Sequence, residues 1–158
     1  MNEAETRAEH IDPQLAAAGW GVVEGSRIRR EYAIAPGRIE GPLRRGKALT
    51  ADYVLIYRNT KLAVVEAKAW DQPLTEGVGQ AKHYAAKLSV RFTYSTNGQG
   101  VYGIDMDTGQ EGERAAFPTP DELCRSRIAA ATFRGATTRT SRWSVCCRPS
   151  RTGSDAYC

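Results

Sequence analysis

The chain has 158 residues, of which 25% are charged and 41% are hydrophobic, and its formal net charge is +4. This length predicts one domain with a buried core. No apolar run approaches the roughly 20 residues of a membrane-spanning helix, and the N-terminus is too acidic and polar for a signal peptide. We therefore expect a cytoplasmic protein without membrane contact.

The positive charge is concentrated in the last part of the chain. Residues 1–123 contain 15 Lys and Arg against 17 Asp and Glu, whereas residues 124–158 contain seven Arg, no Lys and one acid. All four cysteines also lie in residues 124–158, without metal-binding spacing. Net charge is thus no evidence that the body binds nucleic acid. We predict a domain over residues 1–123 and a basic tail over residues 124–158, which is either an out-of-frame product or a disordered extension.

The first third of the chain predicts a helix, a strand and a loop. Residues 3–18 have helical periodicity, interrupted by Pro13 and ended by Gly19. Residues 22–34 are expected to hold a strand. Residues 36–47 are rich in Gly, Pro and Arg and predict a loop.

The middle of the chain predicts the rest of an α/β sheet. Residues 52–57 and 61–68 are apolar runs joined by a short polar link, which predicts a hairpin. Residues 75–88 predict a helix, and residues 91–96 a strand parallel to 61–68 after that crossover helix. Residues 101–106 predict a last strand. The expected fold is a mixed central β-sheet flanked by helices.

Charged residues occur where the predicted hairpin is otherwise apolar. Asp52 opens the first run, and Glu66 and Lys68 follow Val65 in the second. Glu66 and Lys68 are two residues apart and so share one face of a strand. Two carboxylates can hold a divalent metal, and a nearby lysine can orient a water, which is the chemistry of phosphodiester hydrolysis. The alternative is a surface ion pair between Asp52 and Lys68, which explains poorly why charges follow a buried run.

The order Asp52, then Glu66-x-Lys68, then Gln80-x-x-x-Tyr84 resembles the signature of PD-(D/E)XK nucleases. Gln80 and Tyr84 are four residues apart on one helix face. Further segments resemble the N-terminal nuclease domain of type I restriction enzyme R subunits: 3–7, 11–15, 19–20, 51–53, 95–98 and 117–120.

This resemblance implies a restriction-endonuclease-like fold and a Mg²⁺-dependent endonuclease acting on double-stranded DNA. Asp52 and Glu66 would bind the metal together with the backbone carbonyl of Ala67, Lys68 would steer the water, and Gln80 and Tyr84 would contact DNA or brace Lys68. The family further implies partners, namely methyltransferase and specificity subunits, and an ATP-driven motor in the full-length subunit. No such motor follows residue 123, so we expect a truncated copy.

An acid from the first helix often completes this type of site. Glu5 is our candidate and Glu9 the second choice, although an acid near a helix N-terminus is also favoured without any catalytic role. Arg44, Arg45 and Lys47, and Lys82 on the helix, are candidate DNA-binding residues, with a solvated basic face as the alternative.

Two other functions fit the same residues. One is a free-standing repair or mobile-element nuclease, and the other is an inactive DNA-binding remnant of a restriction subunit. Gly41–Ala48 almost matches a phosphate-binding loop, but it lacks the Ser or Thr that binds Mg²⁺ and does not open a helix, so we expect no ATP site.

Overall fold

A computed structural model describes residues 1–35 and 48–133 of the chain. Its elements, in chain order, are α1 (Glu3–Thr6), a π-helical turn (Arg7–Ile11), α2 (Asp12–Ala17), β1 (Ser26–Ala35), β2 (Leu49–Tyr57), β3 (Thr60–Ala67), α3 (Val78–Leu88), β4 (Phe92–Thr96), β5 (Val101–Asp105), β6 (Glu111–Arg114) and α4 (Pro120–Phe133). Within the described residues, no helix is long and apolar enough to span a membrane.

The strands form one six-stranded mixed sheet in the order β1-β2-β3-β4-β5-β6. All neighbouring pairs are antiparallel except β3 and β4, which are parallel and are connected through α3. A parallel connection needs such a crossover, whereas the antiparallel pairs β2–β3, β4–β5 and β5–β6 are joined by short connections of two to five residues. The predicted mixed sheet flanked by helices is confirmed.

Apolar side chains cover both faces of the central strands. On one face, Ile11 and Leu15 of the N-terminal helical segment and Leu123 of α4 join a core with Tyr53 and Val65. On the other face, α3 packs against the sheet in a second cluster, whose buried residues are Ala51, Val54, Val64, Tyr84, Ala85 and Val90. β3 is buried from Leu62 to Ala67, so a charged residue within it has little contact with water.

The predicted N-terminal helix is present but not uniform. The side chain of Asn2 caps it by accepting a hydrogen bond from the Glu5 amide at 2.9 Å. The backbone then widens into a π turn, in which the Asp12 amide donates to the Arg7 carbonyl. Pro13 lies in the first turn of α2, where its missing N–H is tolerated. The interruption that Pro13 predicted is therefore a π turn just before the proline.

Two elements were not predicted. β6 consists of three charged residues and a glycine at the sheet edge, so it has no apolar alternation to reveal it. α4 begins in a capping box, in which Thr119 and Glu122 exchange hydrogen bonds, and it buries Leu123 and Cys124. The predicted boundary at residue 123 lies inside this helix. Residues 36–47 and 134–158 are outside the described part of the chain, and the division into domain and tail stays a prediction.

Candidate functional site

The register of β2 and β3 brings the predicted acids together. Tyr53 pairs with Val65 in the antiparallel ladder, so the next position places Asp52 opposite Glu66. The Ala67 amide donates a 2.8 Å hydrogen bond to Asp52 Oδ2 and fixes that carboxylate at the end of β3. The two predicted acids therefore meet at one end of the sheet.

Lys68 lies directly after β3 and points back to the acids. Its Nζ donates to Glu66 Oε1 at 3.0 Å and to Gln80 Oε1 at 2.5 Å, while its backbone amide donates to the Thr96 carbonyl at 2.8 Å. The amide bond continues the pairing of β3 with β4, so the lysine is fixed at both ends. The expectation that Gln80 braces Lys68 agrees with this contact.

Glu66 is the most deeply buried charged residue of this group. It is only 5% exposed, and its Oε2 atom is buried without a hydrogen-bond partner. Burial, followed by repulsion from Asp52, raises the pKa of Glu66 to about 7, although the Lys68 ammonium acts in the opposite direction. The Lys68 ammonium therefore does not offset the free-energy cost of ionising a buried Glu66 beside Asp52.

An open cavity of about 550 Å³ lies over these residues. Helices and strands on several sides contribute to its wall, which consists of Glu3, Arg7, Glu31, Ala48, Leu49, Thr50, Asp52, Glu66, Lys68, Gln80 and Tyr84. Polar and charged groups dominate this wall, as expected for a site that binds a hydrated or charged ligand.

α3 closes the cavity on the side of Lys68. Gln80 and Tyr84 both line it, as their i, i+4 spacing predicted. Tyr84 is buried, and this burial, with the charges of Glu66 and Asp52, raises the pKa of its hydroxyl. At the start of α3, a Cβ on Gly77 would lie only 3.0 Å from Glu66 Cγ and 3.2 Å from Lys68 Cε. The helix thus approaches the site so closely that only glycine fits there.

The first helix places Glu3, and not the predicted Glu5, in the cavity wall. The Glu5 carboxylate accepts a hydrogen bond from the Asn2 amide at 2.9 Å and belongs to the helix cap, outside the cavity wall. The second choice, Glu9, is exposed and also outside it. Glu3 lines the cavity, and its charge adds to the rise in the pKa of Glu66. The capping-box pattern Asn2-x-x-Glu5 was the signal that assigns Glu5 to the cap.

Two further cavity residues were missed in the sequence. Arg7 Nη1 lies 3.8 Å from Asp52 Oδ1 and 3.7 Å from Glu31 Oε1. Glu31 has a left-handed backbone with φ of 50° in the middle of β1, opposite Asp52. The spacing of Arg7 four residues after Glu3 was the available signal for one shared helix face.

Of the candidate DNA-binding residues, Lys82 alone lies in the described part of the chain. Lys82 of α3 forms an ion pair with Glu111 of β6 and does not line the cavity. Arg44, Arg45 and Lys47 lie outside the described residues, as does most of the segment that resembled a phosphate-binding loop.

The donor set suits a hard divalent cation. Asp52 and Glu66 present carboxylate oxygens to one cavity, and the orphaned Oε2 of Glu66 has the character of a ligand atom. Within the described residues, no three His, Cys, Asp or Glu side chains converge on one point. Mg²⁺ needs no such cage, because it is commonly held by one or two carboxylates with waters and substrate phosphates.

Comparisons with known proteins agree on one family. The family model described as the second domain of the EcoKI endonuclease subunit of a type I restriction enzyme matches residues 23–120. The EcoAI endonuclease subunit of a type I restriction enzyme from Escherichia coli is 33% identical over 137 residues, which is 78% of this chain and 16% of that protein. A solved fragment of an HsdR subunit from Vibrio vulnificus YJ016 has a TM-score of 0.76 and 39% identity, over 82% of this chain and 26% of that chain.

Proposed function

This chain belongs to the endonuclease (HsdR) subunits of type I restriction enzymes, and we propose that its Asp52–Glu66–Lys68 site hydrolyses phosphodiester bonds in double-stranded DNA with Mg²⁺. The chain corresponds to the N-terminal nuclease region of these subunits and has their restriction-endonuclease-like fold. The proposal concerns the chemistry of the site, which follows from its side chains.

The observation that carries the proposal is the unpaired Oε2 atom of Glu66. A buried carboxylate oxygen without a partner costs free energy, of the order of 1–3 kcal/mol or more. It lies beside a second carboxylate, which makes the burial costlier. A folded protein keeps such an arrangement where a ligand with opposite charge completes it, and a divalent cation matches both the oxygen donors and the charge.

Each protein group has a separate role in this proposal. Asp52 and Glu66 would hold Mg²⁺ together with the Ala67 carbonyl and water. The bound ion would polarise the scissile phosphate and acidify a coordinated water. Lys68 orients the attacking water and neutralises charge that develops on the phosphate, since its ammonium is already fixed beside Glu66. Gln80 keeps that ammonium in place.

The context of the reaction is also a proposal. The chain spans about a sixth of the Escherichia coli relative and about a quarter of the Vibrio vulnificus chain. We propose that this region works in a complex with methyltransferase and specificity subunits, which would choose the DNA sequence. An ATP-driven motor elsewhere in the full subunit would then determine when the site meets its substrate.

The direct test is a nicking assay with the whole 158-residue chain. Supercoiled plasmid is incubated with Mg²⁺ or Mn²⁺, without ATP, beside a Lys68→Ala variant and an EDTA control. We expect metal-dependent nicking by the wild type only. Equal nicking by the Lys68→Ala chain would remove Lys68 from the proposal. A calorimetric titration with Mn²⁺ separates the remaining outcomes: a chain that neither nicks plasmid nor binds Mn²⁺ is an inactive remnant.

A further inference from the structure

Arg7 is a cationic residue of the cavity to which no role has yet been given. It opens the π turn of the N-terminal helical segment, four residues after Glu3, and both side chains line the cavity. Its side chain is only 17% exposed. π turns commonly occur at functional sites, where they turn a side chain away from the regular helical position.

The stem of Arg7 is held by the sheet below it. Its guanidinium carbon lies 4.9 Å from the centroid of the Tyr53 ring, and its Nε donates to the Tyr53 hydroxyl at 3.3 Å. The same hydroxyl donates to Asp12 Oδ1 at 2.9 Å, and Asp12 is paired with Arg30 at 3.1 Å. This network fixes the plane of the guanidinium before any ligand binds.

The terminal nitrogens of Arg7 are not used by the network. Nη1 is 3.8 Å from Asp52 Oδ1 and 3.7 Å from Glu31 Oε1, which is about 1 Å longer than a charge-assisted hydrogen bond. In the part of the chain that the structure describes, no group accepts a hydrogen bond from Nη1 or Nη2. A pre-oriented fork of donors therefore faces the cavity from the Asp52 side.

We propose that Arg7 is a further substrate-binding residue, whose terminal nitrogens bind the non-bridging oxygens of a DNA backbone phosphate in this cavity. Guanidinium donors match phosphate oxygens in a bidentate geometry, and the planar group is pre-organised for them. Lys68 borders the cavity near Glu66, and Arg7 borders it near Asp52, so the phosphate is held between two cations. This inference rests on the proposed function, because it takes DNA as the substrate.

The test measures DNA binding without cleavage. The whole chain is titrated into a fluorescent duplex in Ca²⁺ at several salt concentrations, as wild type, Arg7→Gln and Arg58→Gln. Arg58 is the matched control, because its guanidinium lies 4.9 Å from the ring of Tyr57 in the turn after β2, at the strand end away from Asp52. We expect Arg7→Gln to weaken binding about tenfold and to lower the slope of log affinity against log salt by about one. Arg58→Gln should change neither quantity.

Thermal unfolding shows whether each variant is folded. If Arg7→Gln does not fold, Arg7→Lys carries the test, since it keeps the charge over Tyr53 but not the fork. Arg7→Lys should keep the wild-type slope of log affinity against log salt and lose part of the affinity for the duplex. Wild-type affinity and slope in the Arg7 variant would overturn the inference, and an altered Mn²⁺ affinity in that case would make Arg7 a counter-ion of Asp52 only.

Failure of this inference is distinct from failure of the nuclease proposal. A wild type that binds duplex but neither nicks plasmid nor binds Mn²⁺ contradicts the nuclease proposal, while the comparison of Arg7 with Arg58 remains valid. A chain that nicks plasmid with equal duplex affinity in both variants contradicts the role of Arg7 alone. A wild type without measurable duplex binding overturns the inference outright.

Discussion

Two acid–base pairs on the same sheet have opposite properties. At one end, Lys68 contacts Glu66 through a single 3.0 Å hydrogen bond, and the pKa of Glu66 is raised to about 7 by burial and by Asp52. At the other, Arg91 binds Asp105 through two hydrogen bonds of 2.9 and 2.6 Å, and the hydrogen bonds from Arg91 lower the pKa of Asp105 to about 2. Both pairs are largely shielded from water, so burial alone does not explain the difference.

The difference lies in how many oxygens of each carboxylate accept a hydrogen bond. Asp105 uses both oxygens, and Arg91 also donates to the Ser126 carbonyl, which ties α4 to the sheet. Glu66 leaves one oxygen unpaired and shares its surroundings with another carboxylate. The first pair stabilises the folded state, whereas the second lowers stability, as expected if its charge serves the proposed metal site.

The largest expected effect is the loss of cleavage in Glu66→Gln. Because Glu66 is a proposed metal ligand, its replacement should reduce plasmid nicking about a thousandfold. Because the raised pKa of Glu66 makes its charged form unfavourable in the folded state, stability falls as pH rises from about 4.5 to about 7. The glutamine avoids this cost, so urea unfolding in EDTA at pH 8 should show a gain of the order of 1–3 kcal/mol. The gain should disappear below pH 4.5.

The control for that variant is Glu113→Gln, which changes an exposed acid of β6. It should alter neither nicking nor the pH dependence of unfolding. A Glu66→Gln chain that is less stable than wild type at pH 8 would contradict the interpretation that the charged form of Glu66 destabilises the folded state.

The second largest loss of nicking is expected for Gly77→Ala, because α3 begins in close contact with the site at this glycine. A Cβ there would lie 2.6 Å from Ser95 Oγ and 3.0 Å from Glu66 Cγ, so we expect Gly77→Ala to displace Ser95 and the proposed catalytic side chain of Glu66. A shift of about 1 Å commonly costs about a hundredfold in rate, and we expect that loss in nicking.

Gly79 is the matched control, two residues further along the same helix. A Cβ on Gly79 meets no other atom within 4 Å. Gly79→Ala should leave nicking unchanged and stabilise α3 by about 0.5–1 kcal/mol, measured by urea unfolding. Equal nicking rates in the two alanine variants would show that α3 can move without disturbing the site.

The third prediction concerns the stability contributed by the Arg91–Asp105 pair. The pKa of Asp105 is lowered from 3.8 to about 2, so its stabilisation is complete above pH 3.8 and is lost as pH falls through about 2. Asp105→Asn should therefore cost about 2 kcal/mol of unfolding free energy at neutral pH, and the difference from wild type should shrink below pH 4. Nicking should be unaffected at temperatures where the variant is folded.

An exposed acid supplies the comparison for Asp105. Asp71→Asn, in the segment between β3 and α3, should cost nothing measurable. If Asp105→Asn unfolds at the same urea concentration as Asp71→Asn, the two-bond pair contributes no net stability.

Sequence was sufficient for the parts of the site that depend on short-range geometry. The two-residue spacing of Glu66 and Lys68 fixes one strand face, and the apolar hairpin fixes the strand partner that carries Asp52. Gln80 was named from the resemblance of Gln80-x-x-x-Tyr84 to the nuclease signature, and helical spacing placed it on one face with Tyr84. In each case one repeat, of two or of about four residues, determines the direction of the side chain.

The contributions that were missed depend on tertiary placement. Glu5, the predicted acid, is held in the helix cap, and Glu3 reaches the cavity in its place. The four-residue spacing of Arg7 from Glu3 indicates a shared helix face, but only the tertiary structure shows that this face borders the cavity. Glu31 is directed by a left-handed backbone within a strand. β6 was missed because a polar edge strand has no buried face.

The smallest expected effect is that of Gln80→Ala. Gln80 accepts a hydrogen bond from Lys68 Nζ but is itself exposed, so its loss frees the ammonium without exposing the two acids. We expect kcat for nicking to fall about tenfold, as is typical when a group that positions a catalytic residue is removed. Because the metal ligands are untouched, Mn²⁺ affinity should be unchanged, which separates this variant from Glu66→Gln. Lys87→Ala, at the far end of α3, is the control for loss of a polar side chain from that helix. A fall in Mn²⁺ affinity with unchanged kcat would instead indicate that Gln80 acts with the proposed metal ligands. The metal site at this end of the sheet would then include a side chain of α3.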